Sequence, residues 1–240
     1  MKEVRFFYVP DAPDVRELPD EEAQHAIRVL RLGVGDEMML MDGKGTFYRA
    51  EITDATKKHC AYRIVETMPQ ARQWYGHLHL AMAPTKNMDR TEWLAEKATE
   101  IGFDELTFLR CQFSERTVLK EERIDKILIS AMKQSHKAEK PQLNGMTDLK
   151  KFISRDFKGG KYICHCYDQP DLQPKQMLKT LLKPQEDAVV LIGPEGDFSI
   201  DEVRMAEQAG FVPVTLGTSR LRTETAALVA VHLMHLVNEI

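Results

Sequence analysis

Two stretches near the end of the chain decide how the rest is read: LIGPEGDFSIDE, residues 191–202, and VTLGTSRLRTETAALVAVHLM, residues 214–234. Each runs from a short apolar strand into a glycine-opened loop and then into a helix. In the first, Ser199 and Glu202 have the S-x-x-E spacing of a capping box, so the helix is expected to begin just past the loop. In the second, an apolar helix is expected from about residue 224 to 237. GPEGDFS lacks the Gly-Lys-Ser/Thr ending of a phosphate-cradling loop and the Gly-x-Gly-x-x-Gly of a dinucleotide fold. What remains is exposed backbone at the carboxyl end of a buried strand, where open α/β sheets place ligands. Taken alone, the first loop reads equally as a ligand cradle or as an ordinary connector. The second, one strand–helix unit further on, favours the cradle: the two loops are expected side by side at one sheet edge, enclosing a flat, polar, uncharged ring such as adenine through main-chain hydrogen bonds.

Upstream, strands and helices alternate. HLHLAMA, ELTFL, YICHCYD, AVVLI and PVTL read as strands, and residues of about 88–101 and 121–138 as helices, which implies a mainly parallel sheet covered on both faces. The first 70 residues have another rhythm. VRFFYV, DEMMLMDG, TFYRAEIT and CAYRIVET are short strands punctuated at Asp42-Gly43 and Lys44-Gly45, with one helix at about residues 20–32, and a small β-barrel would close them without open edges. Pro69 and the polar run after it mark the expected boundary, giving domains at 1–70 and 71–240.

With 240 residues, 43% of them hydrophobic, the chain can bury a proper core. The sequence contains no apolar run of membrane-spanning length and no secretory leader, and its four cysteines fit no disulfide framework, so a cytoplasmic location is expected. The net charge of −4 excludes a protein that coats nucleic acid indiscriminately. Only residues 71–160 carry more Lys and Arg (16) than Asp and Glu (13), so any nucleic-acid contact must be a local patch. Cys164-His165-Cys166 invites a metal reading, but no second ligand pair stands at zinc spacing, and the three are expected as buried or half-buried strand residues.

GPEGDFS and LGTSRLRTETAAL closely resemble the paired signatures of the RsmE family, ribosomal RNA methyltransferases that modify N3 of a uridine in 16S rRNA of the small subunit. The resemblance extends over the RFFYVP opening, HAIRVLRLGVGDEMMLMDGKG, APTKNMDRTEWLAEKATEIGFDEL and AMKQSHKAEKPQL. It implies a PUA-like RNA-binding β-barrel followed by a SPOUT-type α/β domain with a C-terminal trefoil knot, a homodimer, and S-adenosylmethionine (SAM) as methyl donor, with no metal and no membrane. By motif match, the SAM-binding positions are Leu191, Gly193, Pro194, Glu195 and Gly196 in the first loop, and Leu216, Gly217, Ser219, Leu221, Arg222 and Thr225 in the second. Arg222, Glu195 and Glu224 are candidates for the chemistry: the guanidinium of Arg222, or alternatively of Arg5, to hold charge on the base oxygens, and the carboxylate of Glu195 or Glu224 to accept the N3 proton. Arg5, with His25, Arg28 and Arg31 spaced along one helix face, would hold rRNA phosphates, as would Lys86 and Arg116. Arg90, Lys97 and Glu100 are expected as salt-bridged surface charge. The sequence departs from the family pattern at Asp197, where a second glycine is usual, at Thr218-Ser219 and at Lys137.

Overall fold

A computed structural model describes residues 5–56 and 58–240. The chain divides into two compact units. One comprises the residues up to Arg72 together with Ile129–Lys140, and the other comprises Gln73–Leu128 and Pro141–Ile240.

In the first unit a four-stranded sheet has the order β1 (Phe6–Tyr8), β2 (Glu37–Met41), β3 (Thr46–Ala55), β4 (Cys60–Pro69). β1 lies parallel to β2, and the rest is antiparallel. The outer edge of β4 is met by residues 16–18, through the amide of Leu18 on the carbonyl of Cys60 and that of Tyr62 on the carbonyl of Arg16. Phe7, Met38, Leu40, Ala50, Ile52 and Tyr62 fill the core on one face of the sheet. The expected helix over residues 20–32 is shorter and changes type. α1 (Asp20–Gln24) gives way to a π-helical turn, His25–Val29, closed by the amide of Leu30 on the carbonyl of His25. Widening the turn breaks the three-residue spacing that would have aligned the basic residues, and Arg31 falls outside the helix at φ 56°.

The second unit is built on a fully parallel seven-stranded sheet. Its strands are β5 (Leu78–Met82), β6 (Glu105–Arg110), β7 (Gln142–Asp148), β8 (Gly160–Cys164), β9 (Gln176–Met177), β10 (Ala188–Ile192) and β11 (Val212–Thr215), in the order β7-β6-β5-β10-β8-β11-β9. All five residues of β5 and all five of β10 are buried, as a strand covered on both faces must be. Their side chains alternate between two cores. Leu78, Leu80, Met82, Val190 and Ile192 face one, covered by α2 (Met88–Ile101) and α7 (Thr223–Asn238); Ala81, Val189 and Leu191 face the other, covered by α4 (Leu149–Ile153) and α6 (Ile200–Gln208). α3 (Glu121–Ser135) stops three residues short of its expected end, with His136 at φ 54°. β7, α4, β9 and the one-turn α5 (Leu178–Leu181) were not foreseen, being too short or too polar to carry a periodic signal. YICHCYD leaves the sheet at Cys164, so His165 and Cys166 lie beyond the strand, contrary to expectation.

A polar network, buried at His79 and Thr107 and open to solvent at His77, crosses β5, β6 and β7. The His79 ring bonds the Thr107 hydroxyl at 2.8 Å, Asn144 donates to both Thr107 and Glu105, and His77 meets Glu105 at 2.8 Å. The Glu105 hydrogen bond raises the pKa of His77, whereas burial depresses that of His79 to about 4. A folded His79 that stays neutral between about pH 6.5 and 4 leaves the unfolded chain holding the extra proton, so its contribution to stability is lost as pH falls through that window. His77 works in the opposite sense: its raised pKa adds stability that is fully present below its unfolded value and is lost as pH rises through the folded one. Urea unfolding at pH 7 and pH 5 separates the two. Acidification should cost wild type on the order of 1–3 kcal/mol more than His79→Gln; equal pH dependence would show that His79 is not held neutral.

Candidate active site

The carboxyl ends of β10, β8 and β11 converge on a cavity of about 410 Å³, in the size range of small-molecule sites. Its lining comes from the loop after β10 (Gly193, Pro194, Glu195, Asp197), the loop after β11 (Leu216, Gly217 and Ser219 to Arg222), the Cys164–Cys166 segment, and Arg90. The two glycine loops do share this cavity, but their strands are not neighbours. β8 lies between β10 and β11, and its end separates the loops, which is why residues 164–166 reach the cavity at all.

The first loop is held by its own backbone and by Asp197. The Asp197 amide closes a turn onto the carbonyl of Pro194 at 2.9 Å, with Asp197 at φ 67°. An acidic residue tolerates this left-handed conformation better than most, and here its carboxylate also accepts the amides of Phe198 and Cys166, each at 2.8 Å. The departure from the glycine pattern therefore ties the first loop to the end of β8. Gly193 is closely packed: a Cβ would stand 3.0 Å from the Phe198 amide nitrogen and 3.1 Å from its ring, so any side chain would have to push the loop aside. The expected capping box is complete, with Ser199 Oγ accepting from Glu202 and Glu202 Oε2 from Ser199.

In the second loop, Thr215 Oγ1 donates to the carbonyl of Gly217, whose φ of 144° disfavours any side chain. A Cβ built there meets nothing within 4 Å, so the backbone at this point faces open space. Arg222 is the N-cap of α7, and its carbonyl accepts the Ala226 amide at 2.8 Å.

Of the residues named from the sequence, Gly193, Pro194, Glu195, Leu216, Gly217, Ser219, Leu221 and Arg222 line the cavity. Leu191 is fully buried in the core beneath it, Gly196 packs towards Phe113, and Thr225 lies in the first turn of α7. Glu195 is exposed, and its Oε1 accepts the Lys86 amide at 2.9 Å. Glu224 is buried: Oε1 lies 3.8 Å from Arg90 Nε, and Oε2 has no hydrogen-bond partner. Arg90, expected as surface charge, thus joins the cavity wall, while Lys97 does pair with Glu96 and Glu100 on the helix surface. Lys86 and Arg116 come together beside Glu195, because Arg116 donates to the Lys86 carbonyl at 2.6 Å and Lys86 Nζ pairs with Glu115. In the first unit, Arg5 lies just before β1, with its carbonyl accepting the Met39 amide. His25 and Arg28 are exposed on the π-helical turn, with His25 edge-on to Phe7.

Sequence reasoning missed His165. It is 7% exposed, lines the cavity, and neither ring nitrogen has a hydrogen-bond partner. Burial, then Lys175, lowers its pKa and keeps the ring neutral near pH 7. Burial likewise pushes the Cys164 and Cys166 thiols up, so neither is a reactive thiolate. Among the described residues no cluster of three or more His, Cys, Asp or Glu could hold a metal, and no helix is long and apolar enough to cross a membrane.

Residues 72–235 match the RNA methyltransferase domain family, and residues 18–65 match the RNA methyltransferase PUA domain. Ribosomal RNA small subunit methyltransferase E of Synechocystis is 30% identical over 85% of this chain and 67% of its own. The chain belongs to the RsmE family of RNA methyltransferases. A probable rRNA-methyltransferase from Porphyromonas gingivalis is 40% identical and superposes with a TM-score of 0.91 over 98% of both chains. The small subunit methyltransferase E of Neisseria gonorrhoeae, solved bound to S-adenosyl methionine, is 26% identical with a TM-score of 0.83, again over 98% of both chains.

If Asp197 combines tolerance of positive φ with two amide contacts, replacing it separates the two effects. Asp197→Ala loses both, whereas Asp197→Gly loses only the contacts. Urea unfolding should find the alanine variant less stable by about 0.5–1 kcal/mol, after allowing for glycine's looser unfolded chain. A glycine variant that is equally or more destabilised would show that the backbone conformation is not what matters.

Proposed function

We propose that this protein is a SAM-dependent methyltransferase acting on N3 of a uridine in 16S rRNA of the small ribosomal subunit. The observation that carries the reading is the convergence of both family loops on one cavity, in a chain whose family model covers residues 72–235. The cavity fits the cofactor's chemistry. Exposed backbone beside Gly217 suits close approach of a flat base, and His165 brings unpartnered polar atoms to its wall.

In this reading Gly193, Pro194 and Glu195 form one side of the SAM site and Leu216, Gly217, Ser219, Leu221 and Arg222 the other, while Leu191, Gly196 and Thr225, which do not line the cavity, support the two loops from behind. When bound, SAM supplies an electrophilic methyl group on a sulfonium. The protein must hold the uridine N3 in line with it and remove the N3 proton, and positioning alone accounts for much of such a rate. Glu195 is our choice of proton acceptor, because it lines the cavity and one of its oxygens is fixed by the Lys86 amide. Glu224 stands behind Arg90 and serves to hold that guanidinium. Arg222, on the cavity wall, would stabilise charge developing on the base oxygens.

The sequence division at residues 70 and 71 then separates an RNA-binding, PUA-like barrel from a SPOUT methyltransferase domain. Arg5, His25, Arg28 and Arg31 of the former, with Lys86 and Arg116 of the latter, would contact rRNA phosphates. The path of α7 supports a C-terminal trefoil knot: it follows β11, yet it packs on α2, β5 and β10, across the strand order from where it starts. The enzyme would work as a cytoplasmic homodimer.

The test is transfer of labelled methyl from SAM to small subunits lacking the modification, with the modified base mapped. Methylation of N3 of one 16S uridine is expected; absence of transfer with SAM bound would refute the substrate, and a different base would reassign it. Gly217→Val should abolish thermal stabilisation by SAM while leaving a cooperative unfolding transition. Undiminished stabilisation would move the site elsewhere.

A further inference from the structure

His165 presents a problem that the proposed reaction does not solve. A buried polar side chain normally has a partner, because leaving one without forfeits the hydrogen bonds it had to water. His165 leaves two such atoms, Nδ1 and Nε2, without a partner. The residue is not stranded in an apolar core: it forms part of the cavity wall, and its neighbours Cys164 and Cys166 do too. Its position is also fixed. The amide of Cys166 is bonded to Asp197 in the first loop. Tyr167 donates to the carbonyl of Phe198 at 2.7 Å, and Lys175 Nζ caps the carbonyl of Tyr167 at 2.7 Å. The backbone on the carboxyl side of the imidazole is therefore tied to the same loop that lines the cavity.

From this we infer that His165 is a binding residue for the ribose hydroxyls of the nucleoside held between the two glycine loops. The inference rests on the SAM reading above. A neutral imidazole offers one donor and one acceptor, and a hydroxyl is the ligand group that matches both. It is a poor partner for a carboxylate, to which it brings no compensating charge, and burial with Lys175 nearby keeps it neutral. Its place at the end of β8, between the loops carried by β10 and β11, sets it where the sugar of a nucleoside would lie if the base takes main-chain groups from the flanking loops.

The experiment measures binding by calorimetry with S-adenosylhomocysteine and its 2′-deoxy and 3′-deoxy analogues. Wild type should bind at least one deoxy analogue about tenfold more weakly than the parent. His165→Phe should bind the parent about tenfold more weakly than wild type does, and it should no longer distinguish parent from analogue. His165→Gln keeps a donor and an acceptor and should fall between. In wild type with isotope-labelled histidine, the ring-nitrogen resonances of His165 should shift on adding S-adenosylhomocysteine, a readout that needs no variant to fold. Unchanged affinity in His165→Phe, undiminished discrimination in it, or resonances that do not move would each overturn the proposal and leave an ordered water as the partner of the ring. Failure of wild type to bind either SAM or S-adenosylhomocysteine would instead overturn the cofactor reading on which this rests.

Discussion

Strand β10 has parallel neighbours on both sides, β5 along one edge and β8 along the other, and every one of its side chains is buried. A strand in that position cannot carry chemistry along its length. Its faces are taken by two apolar cores and its edges by ladder hydrogen bonds, so polar groups can reach solvent or a ligand only where it ends. The site follows from that constraint. Residues 193–197 are the first after β10 able to turn their backbone outward. Because β8 and β11 run parallel to it, their ends open at the same edge. Covering both faces with helices then makes the walls of the cavity, and the first turn of α7 joins them through Thr223 and Ala226.

The same constraint explains how the electrical character of the cavity is divided. Its inner part comes from β-strand ends and their neighbours: Ile192, Gly193, Cys164, His165 and Val214. These are apolar, backbone-lined or neutral, since a charge placed there would lose its hydration without a partner. Charged groups arrive from the loops and from helix starts: Glu195, Asp197, Arg220, Arg222 and Arg90. Two of them are tied down: Asp197 accepts two backbone amides, and Arg90 lies beside the buried Glu224 behind the wall. A neutral floor and charged surroundings suit a site that must take a flat base by its edges and also face an anionic polymer. In a chain of net charge −4, that second task can only be local.

Both loop motifs were legible because glycine at a strand end carries its own physical meaning, and in the first the capping residue adds to it: Ser199 and Glu202 form the expected box to the residue. The long elements were legible by periodicity. The order of strands was not, for periodicity says nothing about which strand lies beside which. The loops were expected side by side at one sheet edge, and they do share one cavity, but that β8 stands between their strands could not be seen in either motif. His165 was missed for a related reason. YICHCYD alternates like a strand throughout, and nothing local marks Cys164 as its last paired residue; its ladder with β10 stops at the Ile192–Cys164 pair, and beyond it the Cys166 amide bonds Asp197, 31 residues further on. The π-helical turn at His25–Val29 was hidden too, because HAIRV is an ordinary helical sequence and the wider turn is set by tertiary packing.

Asp197 and His165 are best understood together. A glycine at position 197 would adopt the same left-handed backbone at no steric cost, but it could not accept the Cys166 amide. With aspartate there, the turn after β10 is bonded to the segment leaving β8, and the segment leaving β8 carries the imidazole into the cavity wall. The exchange of a glycine for an acidic residue accordingly replaces freedom of one loop with a cross-link between two. It lets a side chain without hydrogen-bond partners of its own hold a fixed place between the loops, at the cost of a backbone conformation that few other residues would accept.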